Sequence, residues 1–196
     1  MFGGYRSEVE RKTETGEQEI AARCAKGDKD AMEELYMQYA ARLSALCSRY
    51  SGGPAEGIDL MHDTMVRVFD SIGRFQYRGD GSLYAWISSL AIHLAVDRLR
   101  MEKKLEITFF DDNDLPDMAE PEPADIQRIP ESVLNGMIAS LPPSKRLVFN
   151  MFCIDGIPHK EIAHRLGITE RTSTSILAKA KKSLVGMIHK YLEKER

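Results

Sequence analysis

Only three of the 196 residues are cysteine: Cys24, Cys47 and Cys153. An odd number with no CxxC pair argues against a zinc knuckle or a disulfide framework. Each falls on an apolar face, where a buried thiol is expected rather than a reactive thiolate. No apolar run approaches the ~18–20 residues of a membrane span. The N-terminal MFGGYRSEVERKTETGEQE is polar where a signal peptide needs an apolar segment. The expectation is a cytoplasmic protein without direct membrane insertion. Phosphate-cradling GxxxxGKS/T is missing, and Gly79-Asp80-Gly81 is too short for a nucleotide fingerprint. His159 and His164 are five apart and miss the HExxH spacing, while Asp111, Asp112 and Asp114 lack the EF-hand register. No metal, cofactor or enzymatic activity is therefore expected. A basic excess is missing too: 27 Lys and Arg face 30 Asp and Glu, a net charge of -3. As an average, that weighs against a nucleic-acid partner.

The average hides a division. Residues 105–131 contain nine acidic residues and one base, Arg128, whereas residues 132–196 contain eleven bases and five acids. The acidic stretch also contains four of the eight prolines, Pro116, Pro121, Pro123 and Pro130, and few large apolar residues after Phe110. Such a segment buries too little to offset chain entropy and reads as a flexible acidic linker. The fold class expected is all-α: two small helical domains, residues 1–104 and 131–196, joined by the linker at 105–130.

Helical periodicity fills both domains. Thr15 with Gln18 fits a capping box opening the first helix, which Gly27 closes, and Asp28 caps the second. Pro54 starts a third, with Ile58, Met61, Met65, Val68, Phe69 and Ile72 on its apolar face, and Ser82 caps a fourth. Beyond the linker, helices are expected over Ser132–Leu141 and Pro142–Ile154, the latter with Leu147, Val148, Met151 and Phe152 on its apolar side. From Pro158 to Leu184 the pattern is that of a helix-turn-helix. Ile162 and Leu166 bury the first helix, Ala163 allows close crossing, and Gly167 permits a left-handed turn. Thr169 caps the second helix, whose outer face offers Arg171, Thr174, Ser175, Ala178, Lys179 and Lys182 to bases and phosphates. A helical hairpin with a solvated basic face is the alternative. A second constellation surrounds Arg78-Gly79-Asp80-Gly81: Phe75, Tyr77, Tyr84 and Trp86, with Arg98, Arg100, Lys103 and Lys104 further on. Rings beside cations suit unpaired bases, although packing accounts for Trp86 and Phe75 equally well.

The segments LCSRY, DLMHDTMVRVFDSIGRF and YRGDGSLYAWISSLAIHLAVDRLR resemble the second conserved region of bacterial RNA polymerase sigma factors. LPPSKRLVFNMFCIDGIPHKEIAHRLGITERTSTSILAKAKKSL is similar to their fourth region. The ordered pair, with nothing else, resembles the extracytoplasmic-function group. The resemblance implies a transcription initiation factor that binds RNA polymerase core, directs it to promoter DNA and assists strand opening. It also implies an anti-sigma factor as partner.

Residue by residue, the resemblance implies that Asp59, Leu60, His62, Asp63, Thr64, Arg67 and Val68 lie on the polymerase-docking helix, several of them as a solvated face only. It implies that Phe75, Tyr77, Arg78, Gly79, Asp80 and Ser82 capture an unpaired base of the melted non-template strand, with Trp86 as a further participant. His93, Asp97, Arg98 and Arg100 would read the minus-ten element, and Arg171, Thr174, Ser175, Lys179 and Lys182 the minus-thirty-five element in double-stranded DNA. Some positions depart from the family pattern. His93 stands where Asn is usual, Ser173 where Val is typical, and Thr174 and Ile176 where bases are frequent. Two other readings stay open: a helix-turn-helix regulator that does not bind polymerase core, and a helical interaction module held by a regulator.

Overall fold

A computed structural model describes residues 7–101 and 121–195, with side chains from residue 16 onward. All regular elements among the described residues are helical. By their internal contacts they form two units: residues up to Ser48 together with Ala55–Ala95, and Arg49–Pro54 together with residues from Val96 onward.

The first unit is built from α1 (Ser7–Ala25), most of α2 (Lys29–Ser51), nearly all of α3 (Pro54–Ser71), a 3-10 turn (Ile72–Arg74) and most of α4 (Ser82–Met101), the last turns of α2 and α4 being counted with the second. α1 starts well before the expected capping box, so Thr15 lies inside the helix. The reason is compositional: Glu, Arg and Lys at 8–12 are good helix formers that extend the element backward through Gly16. Asp28 opens α2 as expected, its Oδ1 accepting from the Asp30 and Ala31 N–H groups at 3.0 and 3.2 Å, while Arg23 Nε donates to Oδ2 at 2.8 Å. The Arg23 hydrogen bond, followed by the Ala31 N–H, holds the Asp28 carboxyl below its ordinary value. The core collects Ile20, Leu35, Leu43, Leu60, Met65, Val68, Leu83 and Ile87. Gly57 lets α3 approach α2 closely, because a Cβ there would stand 2.6 Å from Ser48 Cα.

Ile58, expected on the apolar face of α3, is 47% exposed. It is three residues from Met61 but falls at the edge of a stripe set by Leu60, Met61, Thr64, Met65 and Val68.

The second unit contains α5 (Pro123–Gln127), α6 (Glu131–Ser140), α7 (Pro143–Phe149), a π-helical turn (Asn150–Ile154), α8 (His159–Leu166) and α9 (Glu170–Lys194). Residues 121–130, assigned above to the flexible linker, thus include a short helix, and Ile129 is buried. Ile126 and Ile129, spaced by three, the first half-buried and the second buried, are the apolar residues that the acidic average obscured. Linker residues 105–120, with Lys103 and Lys104, lie outside the described residues.

α9 is the spine against which α7 and α8 pack. Leu141, Ala180 and Leu184 form a core with Met137, Ile138, Phe149 and Met187 around it. Arg146 is buried, and its guanidinium donates to the carbonyls of Ala139 and Leu141 at 2.9 and 3.0 Å, satisfying acceptors at the end of α6. The expected helix over Pro142–Ile154 changes hydrogen-bond register near its end, the Asp155 N–H reaching back five residues to the Asn150 carbonyl at 2.9 Å. The wider turn places Phe152 and Cys153 outside, correcting the apolar face drawn for Phe152 and the buried thiol drawn for Cys153. Cys24 and Cys47 are buried.

Candidate nucleic-acid and polymerase interface

The helix-turn-helix is built from local interactions. α8 ends at Gly167 with φ +67°, a left-handed conformation that costs other residues about 1–2 kcal/mol. Thr169 Oγ1 accepts from the Thr172 N–H at 3.0 Å and opens α9. Ile162, Ala163 and Leu166 are buried on one side, Ile176 and Leu177 on the other. Burial of Ile176 gives its departure from a basic residue a packing role. Arg171, Thr174, Ser175 and Ala178 are exposed, and Lys179 and Lys182 half-buried. Residues 171, 175, 178 and 182 share one stripe of the helix.

Ser173 is fully buried at the α8–α9 crossing, a polar group where Val is typical. Its hydroxyl meets His159 Nδ1 at 2.9 Å, and the His159 ring stacks on Phe152 at 4.3 Å between centroids. The partner fourteen residues away satisfies a hydroxyl whose burial would otherwise be costly. Sequence reasoning set His159 aside once metal spacing failed.

The loop before α4 is organised differently. Gly79 and Gly81 take φ +112° and +77°, turning the chain sharply. Tyr77 Oη donates to Asp80 Oδ1 at 3.0 Å. Ser82 Oγ accepts from the Arg78 N–H at 3.2 Å, so Ser82 braces the loop rather than capping α4 as expected. The α4 acceptor comes from α1: Glu17 Oε2 accepts from the Leu83 N–H at 3.1 Å, and Glu17 Oε1 accepts from Tyr39 Oη at 3.1 Å. Burial, then the charge of Glu17, push the Tyr39 phenol far above its ordinary value, so it remains a donor. Tyr39 stacks on Tyr84 at 5.9 Å, and the Arg42 guanidinium lies 3.6 Å from the Tyr84 ring centre. Sequence reasoning missed Glu17 and Arg42. A signal for Glu17 existed in its spacing with Ile20, Ala21 and Cys24, which puts a carboxylate on the apolar face of α1.

Phe75 and Trp86 pack at 5.6 Å with a 51° tilt and both stay partly exposed. Arg78 and Asp80 are exposed. Along α4, His93 is exposed and its Nδ1 lies 2.7 Å from the Ser89 carbonyl, which requires Nδ1–H as donor. Asp97 and Arg100 pair at 3.6 Å, and Arg98 is half-buried.

On α3, Asp59, His62, Asp63 and Arg67 form an exposed polar strip. Leu60, Thr64 and Val68 do not belong to it. All three are buried, and Thr64 Oγ1 donates to the Leu60 carbonyl at 2.7 Å, because an i, i+4, i+8 series follows one helix face into the core. Val66, 61% exposed, joins the polar strip instead. Among the described residues no helix is long and apolar enough to cross a membrane, and no three His, Cys, Asp or Glu side chains are placed to hold a metal ion.

Comparison with known proteins adds an independent line. The family description "Sigma-70 region 2" matches residues 35–105 and "Sigma-70, region 4" residues 133–184, together more than half of the chain. The RNA polymerase sigma-H factor of Pseudomonas aeruginosa is 25% identical over 182 residues, spanning 88% of this chain and 93% of its own. The ECF RNA polymerase sigma factor SigE of Mycolicibacterium smegmatis is 28% identical over 173 residues, spanning 85% of this chain and 66% of its own. The solved structure of CnrH in complex with the cytosolic domain of CnrY shares the fold with a TM-score of 0.50 and 16% identity, over 89% of this chain and 97% of that one. Two regions of one family in the same order, on helices that supply a basic helix-turn-helix and an aromatic loop, place the chain among the sigma-70 RNA polymerase sigma factors, in the extracytoplasmic-function (ECF) group.

Proposed function

We propose that this sigma factor binds RNA polymerase core through the exposed strip Asp59, His62, Asp63, Val66 and Arg67. It then directs the enzyme to promoters with two DNA elements. The α9 stripe, with Arg171, Thr174, Ser175, Lys179 and Lys182, reads the minus-thirty-five duplex, while the loop Phe75–Ser82 with Trp86, His93, Asp97, Arg98 and Arg100 holds the melted minus-ten strand. The polymerase performs the chemistry; this chain contributes binding energy and stabilises unpaired DNA, acting in the cytoplasm. The observation that carries the reading is the joint exposure of aromatic and basic groups on the loop and of polar and basic groups on α9.

Transcription from a genomic promoter library with purified core tests it. Start sites sharing two upstream motifs are the expected result, and core that does not bind this chain would sink it. Charge reversal at Asp63 and Arg67 is expected to abolish core pull-down. If about five bases of the second unit neutralise phosphates, the salt slope of duplex binding is near −4.5. A protein regulator is also proposed, since the related CnrH was solved with the cytosolic domain of CnrY. Its co-purification with the full chain is the test.

A further inference from the structure

We propose that Glu17 is a positioning residue for strand opening, capping α4 from α1 and thereby fixing the end of the loop Phe75–Ser82. The inference rests on the reading that this loop holds an unpaired base.

The first N–H groups of a helix have no partner within it and need an outside acceptor. At the start of α4 the Ser82 N–H is taken by the Gly79 carbonyl and the Ala85 N–H by the Gly81 carbonyl. The Leu83 N–H, between them, is taken by Glu17 Oε2, sixty-six residues away. Ser82 cannot supply this cap, because a capping side chain reaches the N–H two or three residues on and not that of the next residue; its hydroxyl instead accepts from the Arg78 N–H in the loop. A carboxylate also matches the partial positive charge at a helix N-terminus. Glu17 is 8% exposed and its other oxygen takes the Tyr39 hydroxyl, so the group is held from both sides.

Packing alone does not account for this choice. An acid on the face shared with Ile20, Ala21 and Cys24 carries a desolvation cost that Leu or Met avoids. What the acid adds is a charged hydrogen bond to one backbone N–H, at the residue where the loop becomes helix. Tyr39 extends the support by stacking on Tyr84, the next residue, while the Arg42 guanidinium lies over that ring. α1 and α2 therefore hold the first turn of α4 by its backbone and by its side chain. The loop inherits that placement through Ser82, which is bonded both to Gly79 and to Arg78.

The experiment uses full-length protein with purified core. The probe is duplex promoter DNA that the unsubstituted holoenzyme has selected from random sequence. Glu17→Leu is expected to lower the fraction of open complex, read by permanganate reactivity of unpaired thymines, about tenfold. Glu17→Gln keeps an acceptor oxygen and the side-chain volume, and is expected to lose only about two- to threefold. Core affinity and binding of a minus-thirty-five duplex should stay within about twofold for both variants. Normal opening by Glu17→Leu overturns the proposal, as does an equal loss of opening, core binding and duplex binding in Glu17→Gln. Phe75→Ala and Arg78→Ala separate the two levels. If they impair opening and Glu17→Leu does not, the positioning role alone fails. If neither impairs opening, the loop reading fails and the proposal with it.

Discussion

The turn between α8 and α9 and the loop before α4 are both short glycine-containing segments that deliver a helix to DNA in the proposed function, yet they are held in different ways. The first is held mainly by its own residues: Gly167 supplies the reversal and Thr169 caps the next helix within three residues, with one distant bond from Arg100 Nη2 to the Arg165 carbonyl at 3.0 Å. The second borrows its cap from Glu17 and its ring support from Tyr39 and Arg42. A turn held mainly by its own residues depends little on its neighbours, whereas a remotely held loop is only as well placed as the helix that reaches it.

Substitutions can break that contrast, beginning with the largest effect. Ile162→Ala removes a fully buried side chain from the α8–α9 crossing and should destabilise the second unit by about 3 kcal/mol. Thermal denaturation would register this loss, with duplex binding falling while binding of single-stranded minus-ten DNA persists. Gly57→Ala acts on the other unit. Its new methyl would press on the Ser48 backbone, and a cost of about 2 kcal/mol is expected from separation of α2 and α3. Single-stranded binding and core binding should weaken together, duplex binding staying intact. A uniform loss of all three would contradict the division of labour.

Thr169→Ala tests local holding directly. Removing the hydroxyl cap should cost about 1 kcal/mol, and Thr169→Ser should restore most of it, measured by denaturant titration. The smallest effect concerns Asp28, a local cap in the first unit. Arg23 and the Ala31 N–H lower its pKa, so its contribution is present above the unfolded-state value near 4 and is lost as pH falls through the folded-state value. Melting curves of the wild type and Asp28→Asn should differ at pH 7 and converge on acidification below about pH 4. A gap that persists unchanged to pH 2 would show that ionisation of Asp28 is irrelevant.

The same contrast explains which features could be read from the chain alone. Gly167, Thr169, Ile162 and Leu166 announce a helix-turn-helix because the residues that make it are within a few positions of one another. The all-helical fold followed from periodicity for the same reason. Ser82 was misassigned as a cap because serine before an apolar helix fits the local rule, while the actual acceptor lies on α1. Leu60, Thr64 and Val68 were drawn onto the polymerase surface by family resemblance, although their spacing of four already placed them on one face with the core. The α5 turn was hidden by averaging: an acidic, proline-containing stretch conceals Ile126 and Ile129. Ser173 looked like a simple departure until His159 supplied its partner.

The π turn at Asn150–Ile154 is, in effect, one residue inserted into an α-helix. Each residue of an α-helix advances the chain by about 100°. Deleting one residue there, Cys153 for instance, would return the segment to α register and rotate the chain that follows by roughly that angle. His159 would lose its stacking on Phe152, and the α8 side chains that now meet α9 would turn away from it. The length of this segment thus sets the orientation of the helix-turn-helix, so substitution of the outward Cys153 should be tolerated far better than its removal.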